Sequence, residues 1–138
     1  MDMLQQAKEL LHQEKCSCVL MRNGKPSLSW ERGIRPILLW LEEDLDFLKG
    51  AAVADKVIGK AAAMLFVYGG VSAVYTDVIS RPAAEYFAAA GIPFTADRTV
   101  EGIRNRDNTG PCPMESVALD LSDPEGAYLE FRRRILNR

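Results

Sequence analysis

The sequence predicts an α/β domain arranged as a three-layer α/β/α sandwich, and three observations carry that reading. Asn23-Gly24 lies between two short runs of strand character, the strongest short-range hairpin signal. Residues 71–79, 82–90 and 93–100 then read as strand, helix and strand. Such a βαβ unit joins parallel strands through a right-handed crossover. Helix punctuation recurs as well: Gly69-Gly70 and Gly91 close apolar runs, and proline stands early in several candidate helices.

The elements follow in order. Residues 3–14 form a helix with Leu4, Ala7, Leu10 and Leu11 on one stripe. Residues 16–22 and 27–32 are the hairpin strands, with Leu28 and Trp30 on one face of the second. The segment from Gly33 to Pro36 breaks the pattern, and the short apolar run 37–41 fits either a strand or a helical turn. Residues 47–68 are expected to form one long helix ended by Gly69-Gly70. After the βαβ unit, residues 113–119 give a short helix. Ser122-Asp123-Pro124-Glu125 starts a last one, whose stripe is Tyr128, Phe131 and Ile135.

Composition narrows the function classes. With 138 residues and 48% apolar content, the chain can build the core of a single domain spanning 1–138. A formal net charge of −2 leaves no electrostatic footprint for nucleic acid. The run 61–68 is too short to cross a bilayer, and the first residues lack the apolar core of a signal peptide. A cytoplasmic protein without membrane contact is therefore expected, with a homodimer as the expected assembly if apolar strand edges are exposed. The three cysteines make no disulfide framework. Cys16 and Cys18, two apart, should face one side of a sheet and pack as small hydrophobes. His12 has no second ligand nearby in sequence. No metal and no cofactor are expected.

Two stretches carry chemistry. The first is the polar run 104–110, followed by Pro111-Cys112-Pro113-Met114-Glu115. Pro113 suits the first position of a helix, which puts Cys112 at its N-cap and Glu115 at its third position. A thiol there feels the positive end of the helix dipole, which favours thiolate. Glu115 can reach back to the cap N–H. Equally, Cys112 and Glu115 could simply start a helix. The second stretch is the expected long helix. It is apolar almost all round yet carries Asp55, Lys56 and Lys60. On a helix the two lysines share a face and repel, so that face must meet carboxylates, an anion or solvent. Glu115 and Asp97 are the candidate carboxylates, and a solvated edge is the plain alternative.

The order helix, hairpin, Ala54-Asp55-Lys56-Val57-Ile58-Gly59-Lys60-Ala61-Ala62-Ala63, strand, helix, strand and Gly110-Pro111-Cys112-Pro113-Met114-Glu115 resembles a small prokaryotic family of unknown function, itself similar in fold to cytidine deaminases. The resemblance covers nearly the whole chain and implies a mixed five-stranded sheet between helices. It does not bring the zinc chemistry. Zinc deaminases use His-x-Glu and Pro-Cys-x-x-Cys. Here Ala54-Asp55-Lys56 stands in the first place and Ser80-Arg81-Pro82-Ala83-Ala84 in the second. Pro111-Cys112-Pro113-Met114-Glu115 mimics the second motif one βα unit too late. What the likeness implies is a pocket position, between the start of the central helix and the strand C-termini.

Two function classes follow. In the first, a deaminase-like pocket binds a small anionic ligand such as a nucleotide. Asp55, Lys56, Lys60, Arg104 and Arg106 line it, and Asn108 bonds a base or ribose. In the second, the protein is an enzyme without zinc. Cys112 acts as nucleophile or redox thiol, Glu115 as its proton partner, and Lys56 or Lys60 as base or anion clamp. Asp55, Lys56, Lys60, Cys112 and Glu115 are expected to converge on one cleft at the C-terminal ends of the central strands.

Overall fold

The computed structural model describes residues 2–104 and 112–138. Arg106 and Asn108, and with them the expectations attached to both, lie outside the described residues. A mixed five-stranded sheet forms the middle layer. Its strands are β1 (Cys18–Arg22), β2 (Lys25–Ser29), β3 (Ala52–Ile58), β4 (Ala73–Ser80) and β5 (Phe94–Val100). They are ordered β2-β1-β3-β4-β5. β1 is antiparallel to both β2 and β3, while β3, β4 and β5 are parallel. The 71–100 segment is thus a βαβ unit with parallel strands, as its pattern predicts. Asn23 and Gly24 both take positive φ, 52° and 76°, the backbone that a two-residue hairpin turn requires.

Helices cover both faces of the sheet. On one face lies α1 (Met3–Glu14), whose Ala7 and Leu11 pack with Cys16, Val19, Met21, Ala52, Ala54 and Tyr75. On the other face lie α2 (Arg35–Glu43), α3 (Lys60–Gly69), α4 (Arg81–Ala90), α5 (Pro113–Leu119) and α6 (Pro124–Phe131), the last running on into a π-helical turn at Arg132–Leu136. The caps match the sequence. Asp2, Ser80 and Asp123 accept from the first-turn N–H groups of α1, α4 and α6. Gly70 and Gly91 close α3 and α4 in the left-handed region. None of the helices in the described residues is long and apolar enough to cross a membrane.

One expectation is overturned. Residues 47–68 are not a single helix: 52–58 is the central strand β3, and the helix starts only at Lys60. An apolar, alanine-rich run supports either state, and burial decides between them. β3 is hydrogen-bonded on both edges. Its Ala52 and Ala54 lie under α1, where only small side chains leave room for Ala7 and Leu11, and Val53 points into the opposite core. The ambiguous run at 37–41 resolves as part of α2, opened by Pro36. The two neighbouring cysteines also part company. Cys16 precedes β1 and packs under α1, whereas Cys18 belongs to the core on the other face. The period-2 rule does not reach outside the strand.

Candidate ligand-binding site

The strand register sets up one row across the sheet: Ser29, Cys18, Asp55, Thr76 and Ala96 lie side by side on β2, β1, β3, β4 and β5. Just beyond this row the three parallel strands end, and a cleft of about 1430 Å³ opens over them. Its floor includes Asp55 and Val57 of β3, Val78 of β4 and Arg98 of β5, and Lys56, alternate to them along β3, borders it from the α1 side of the sheet. One wall is the chain from Trp30 into the start of α2, and the other is the start of α5 with Cys112 and Glu115. The cleft therefore sits outside the carboxyl ends of strands in an open α/β sheet, where ligands commonly bind.

Of the five residues expected to converge, Asp55, Lys56, Cys112 and Glu115 line the cleft, as does Arg104. Lys60 does not line it. Since 52–58 is a strand, Lys56 and Lys60 never share a helical face. Lys60 is the first residue of α3, and its ammonium donates to the carbonyls of Leu121 at 2.7 Å and Leu119 at 3.5 Å. It also stands 5.9 Å from the Tyr86 ring centroid. Those carbonyls at the end of α5 are the partners that the charge-balance argument sought in an anion or a carboxylate.

Glu115 does not cap its own helix. Its carboxylate crosses to the start of α3 and accepts from the backbone N–H groups of Lys60 at 2.7 Å and Ala61 at 3.0 Å. Gly59 makes this approach possible, because a Cβ there would lie 2.3 Å from Glu115 Oε1. An anion at a helix N-terminus is favourable, and here the chain supplies its own. Burial nevertheless raises the Glu115 carboxyl above its ordinary range, against the pull of the two N–H groups and of the Lys60 charge. Cys112 is half-buried at the N-cap of α5, and its N–H donates to Ile103 O at 2.9 Å.

Asp55 and Cys18 face one another across β3 and β1, and both line the cleft. Burial pushes the Asp55 carboxyl up to about 7, against backbone hydrogen bonds from Lys56 and Val57 and a hydrogen bond from the Cys18 thiol. The same burial, followed by the Asp55 charge, holds the Cys18 thiol well above its usual value. Sequence reasoning missed Cys18 as a cleft residue. The usable signal was weak: a polar residue, Asp55, opposite a cysteine becomes visible only once 52–58 is read as a strand.

A second polar group lies on the α1 side of the sheet. His12 Nε2 is 2.8 Å from Asp77 Oδ1, and the Tyr75 hydroxyl is 2.6 Å from that oxygen and 2.8 Å from Asp97 Oδ2. The hydroxyl has one proton and donates to one carboxylate at a time. Thus Asp97, offered above as a partner for the lysines, is engaged by Tyr75 instead. Among the described residues no group of three or more His, Cys, Asp or Glu side chains is placed to hold a metal ion.

Comparison with known proteins agrees with this architecture. The family model described as TM1506, domain of unknown function (DUF1893), matches residues 6–135. The crystal structure of a DUF1893 family protein, TM1506 from Thermotoga maritima, superposes with a TM-score of 0.87 at 26% sequence identity, over 96% of this chain and 90% of that one. No significant similarity to a curated protein was found. The chain belongs to the DUF1893 family.

Proposed function

We propose that this DUF1893 protein binds a small anionic ligand of nucleotide class in the cleft at the strand ends. The observation that carries the reading is the charge of the lining. Among the described residues, Lys15, Arg32, Arg35, Lys56, Arg98 and Arg104 line the cleft, all with exposed side chains, against three carboxyl groups. Glu31 is paired with Arg35 at 2.9 Å. Glu115 is held by the α3 N–H groups, and Asp55 is shifted toward its neutral form at pH 7. The protein as a whole carries a net charge of −2, so the positive surplus is local. A concave surface lined by one sign of charge concentrates the opposite sign. An apolar wall of Val57, Val78 and Val100 leaves room for the uncharged part of the ligand.

A thermal-shift titration of the intact protein with inorganic phosphate, a sugar phosphate and a nucleoside monophosphate tests the reading. At ~100 times the dissociation constant, a bound ligand should stabilise the protein by roughly 2.7 kcal/mol. Arg98→Gln and Lys56→Met should each weaken binding, and added salt should weaken it further. No shift with any of the three, at low ionic strength, would remove the proposal.

Asp55 favours a second reading, a zinc-independent enzyme. A carboxyl poised near 7 in a cleft is suited to acid–base catalysis, and the thiol of Cys112 lines the same cleft. Alkylation of the intact protein separates the two readings: fast modification of Cys112 at neutral pH supports the enzyme, and an inert Cys112 supports simple binding.

A further inference from the structure

Resting on the anion-binding reading, we infer that the ligand is a nucleoside phosphate lying along the cleft, with its base stacked on Trp30 and its phosphate at the β5 end. The strand order separates the two ends. Trp30 follows directly on β2, at one edge of the sheet, and Arg98 lies on β5, at the other. From β2 to β5 there are four inter-strand steps, ~19 Å between the outer strands, so a nucleotide meets both ends only where the indole, drawn in to the end of α1, and the long Arg98 side chain reach over the middle strands. The two ends differ in chemistry. At the β2 end an indole ring, 61% exposed, lines the cleft. Its Nε1 donates to the carbonyl of Glu14 at 3.3 Å, which fixes the ring edge against the end of α1. At the β5 end stand Arg98 and Arg104, and Lys56 lies between the two ends on β3.

A large aromatic side chain left exposed in a cleft while held by its own hydrogen bond is a ready stacking platform. Bases stack on such rings with little regard to sequence, because each has a π-face. Val57, 46% exposed in the same cleft, extends the apolar surface toward the middle, where a ribose would pass. Asp55 beside it gives a carboxyl that can accept from or donate to a hydroxyl there. An aromatic end, a middle of mixed polarity and a cationic end match base, sugar and phosphate in that order. Inorganic phosphate would use only the last of these, and a sugar phosphate only the last two.

The test compares ribose 5-phosphate with a nucleoside 5′-monophosphate by calorimetry on the intact protein, with indole fluorescence as a second readout. The expected result is tighter binding of the nucleotide by about tenfold or more, with quenching of Trp30. Trp30→Ala should weaken the nucleotide by about the same factor, leave ribose 5-phosphate unchanged and abolish the quench. Trp30→Phe should retain most of the affinity, which separates stacking from any loss of fold. Equal affinity of the two ligands, or a nucleotide affinity indifferent to Trp30→Ala, would overturn the inference and leave anion binding intact. If neither ligand binds, the anion-binding reading fails and this inference with it.

Discussion

Gly59 and Glu115 show how a single residue pair sets the geometry of the cleft wall. The glycine stands where it does because a carboxylate from a distant helix occupies the space that a Cβ would take. Gly59→Ala would place a Cβ within 2.7 Å of all three carboxyl atoms of Glu115 and should destabilise the protein by about 1–3 kcal/mol, as overpacking does. In a Glu115→Ala background the same change should cost much less. A double-mutant cycle by chemical denaturation measures the difference, and additive effects would contradict the contact. Asp55 gives a pH prediction. Its folded pKa, about 7, lies above the ordinary carboxylate value near 4 that it has when unfolded. Its contribution to stability is therefore fully present below pH ~4 and is lost as pH rises through 7. The loss is at most ~4 kcal/mol. Asp55→Asn should flatten the melting temperature between pH 4 and 7 relative to the parent. An unchanged difference between the two proteins across that range would contradict the shift.

Lys60 and α1 make the case at the scale of elements. Lys60 links the start of α3 to the carbonyls at the end of α5, a half-exposed charge-assisted hydrogen bond. Lys60→Met should lower stability by about 1 kcal/mol and leave phosphate binding unchanged. Lys56→Met should do the reverse, weakening phosphate binding with little change in melting temperature. If Lys60→Met instead reduced anion affinity as strongly as Lys56→Met, the placement of its ammonium outside the cleft would be wrong. Helix α1 covers its side of the sheet through Ala7 and Leu11, both fully buried. Leu11→Ala should cost about 2–5 kcal/mol. Loss of the exposed His12–Asp77 pair through His12→Ala should cost under ~1 kcal/mol. Urea denaturation of the two variants checks the ranking.

Across the whole molecule, the sequence by itself determined the hairpin at Asn23-Gly24, the parallel βαβ unit, the helix boundaries marked by Gly70, Gly91 and Asp123, and hence a layered α/β fold. These signals are local: turn chemistry, capping and periodicity act within a few residues of chain, and the fold preserves them. It also pointed to a cleft at the strand C-termini, since the fold class dictates where such a cleft opens. Only the tertiary structure decided that residues 52–58 are the central strand. An alanine-rich run can satisfy its backbone in either state, and the choice falls to the helix α1 that must pack against Ala52 and Ala54. That one decision moved Lys60 out of the cleft, set Asp55 opposite Cys18 and brought Glu115 against Gly59, 56 positions earlier in the chain. Trp30 and Arg98 could not be recognised as the two ends of one cleft from the chain alone, because their relation is fixed by a strand order that no local pattern records.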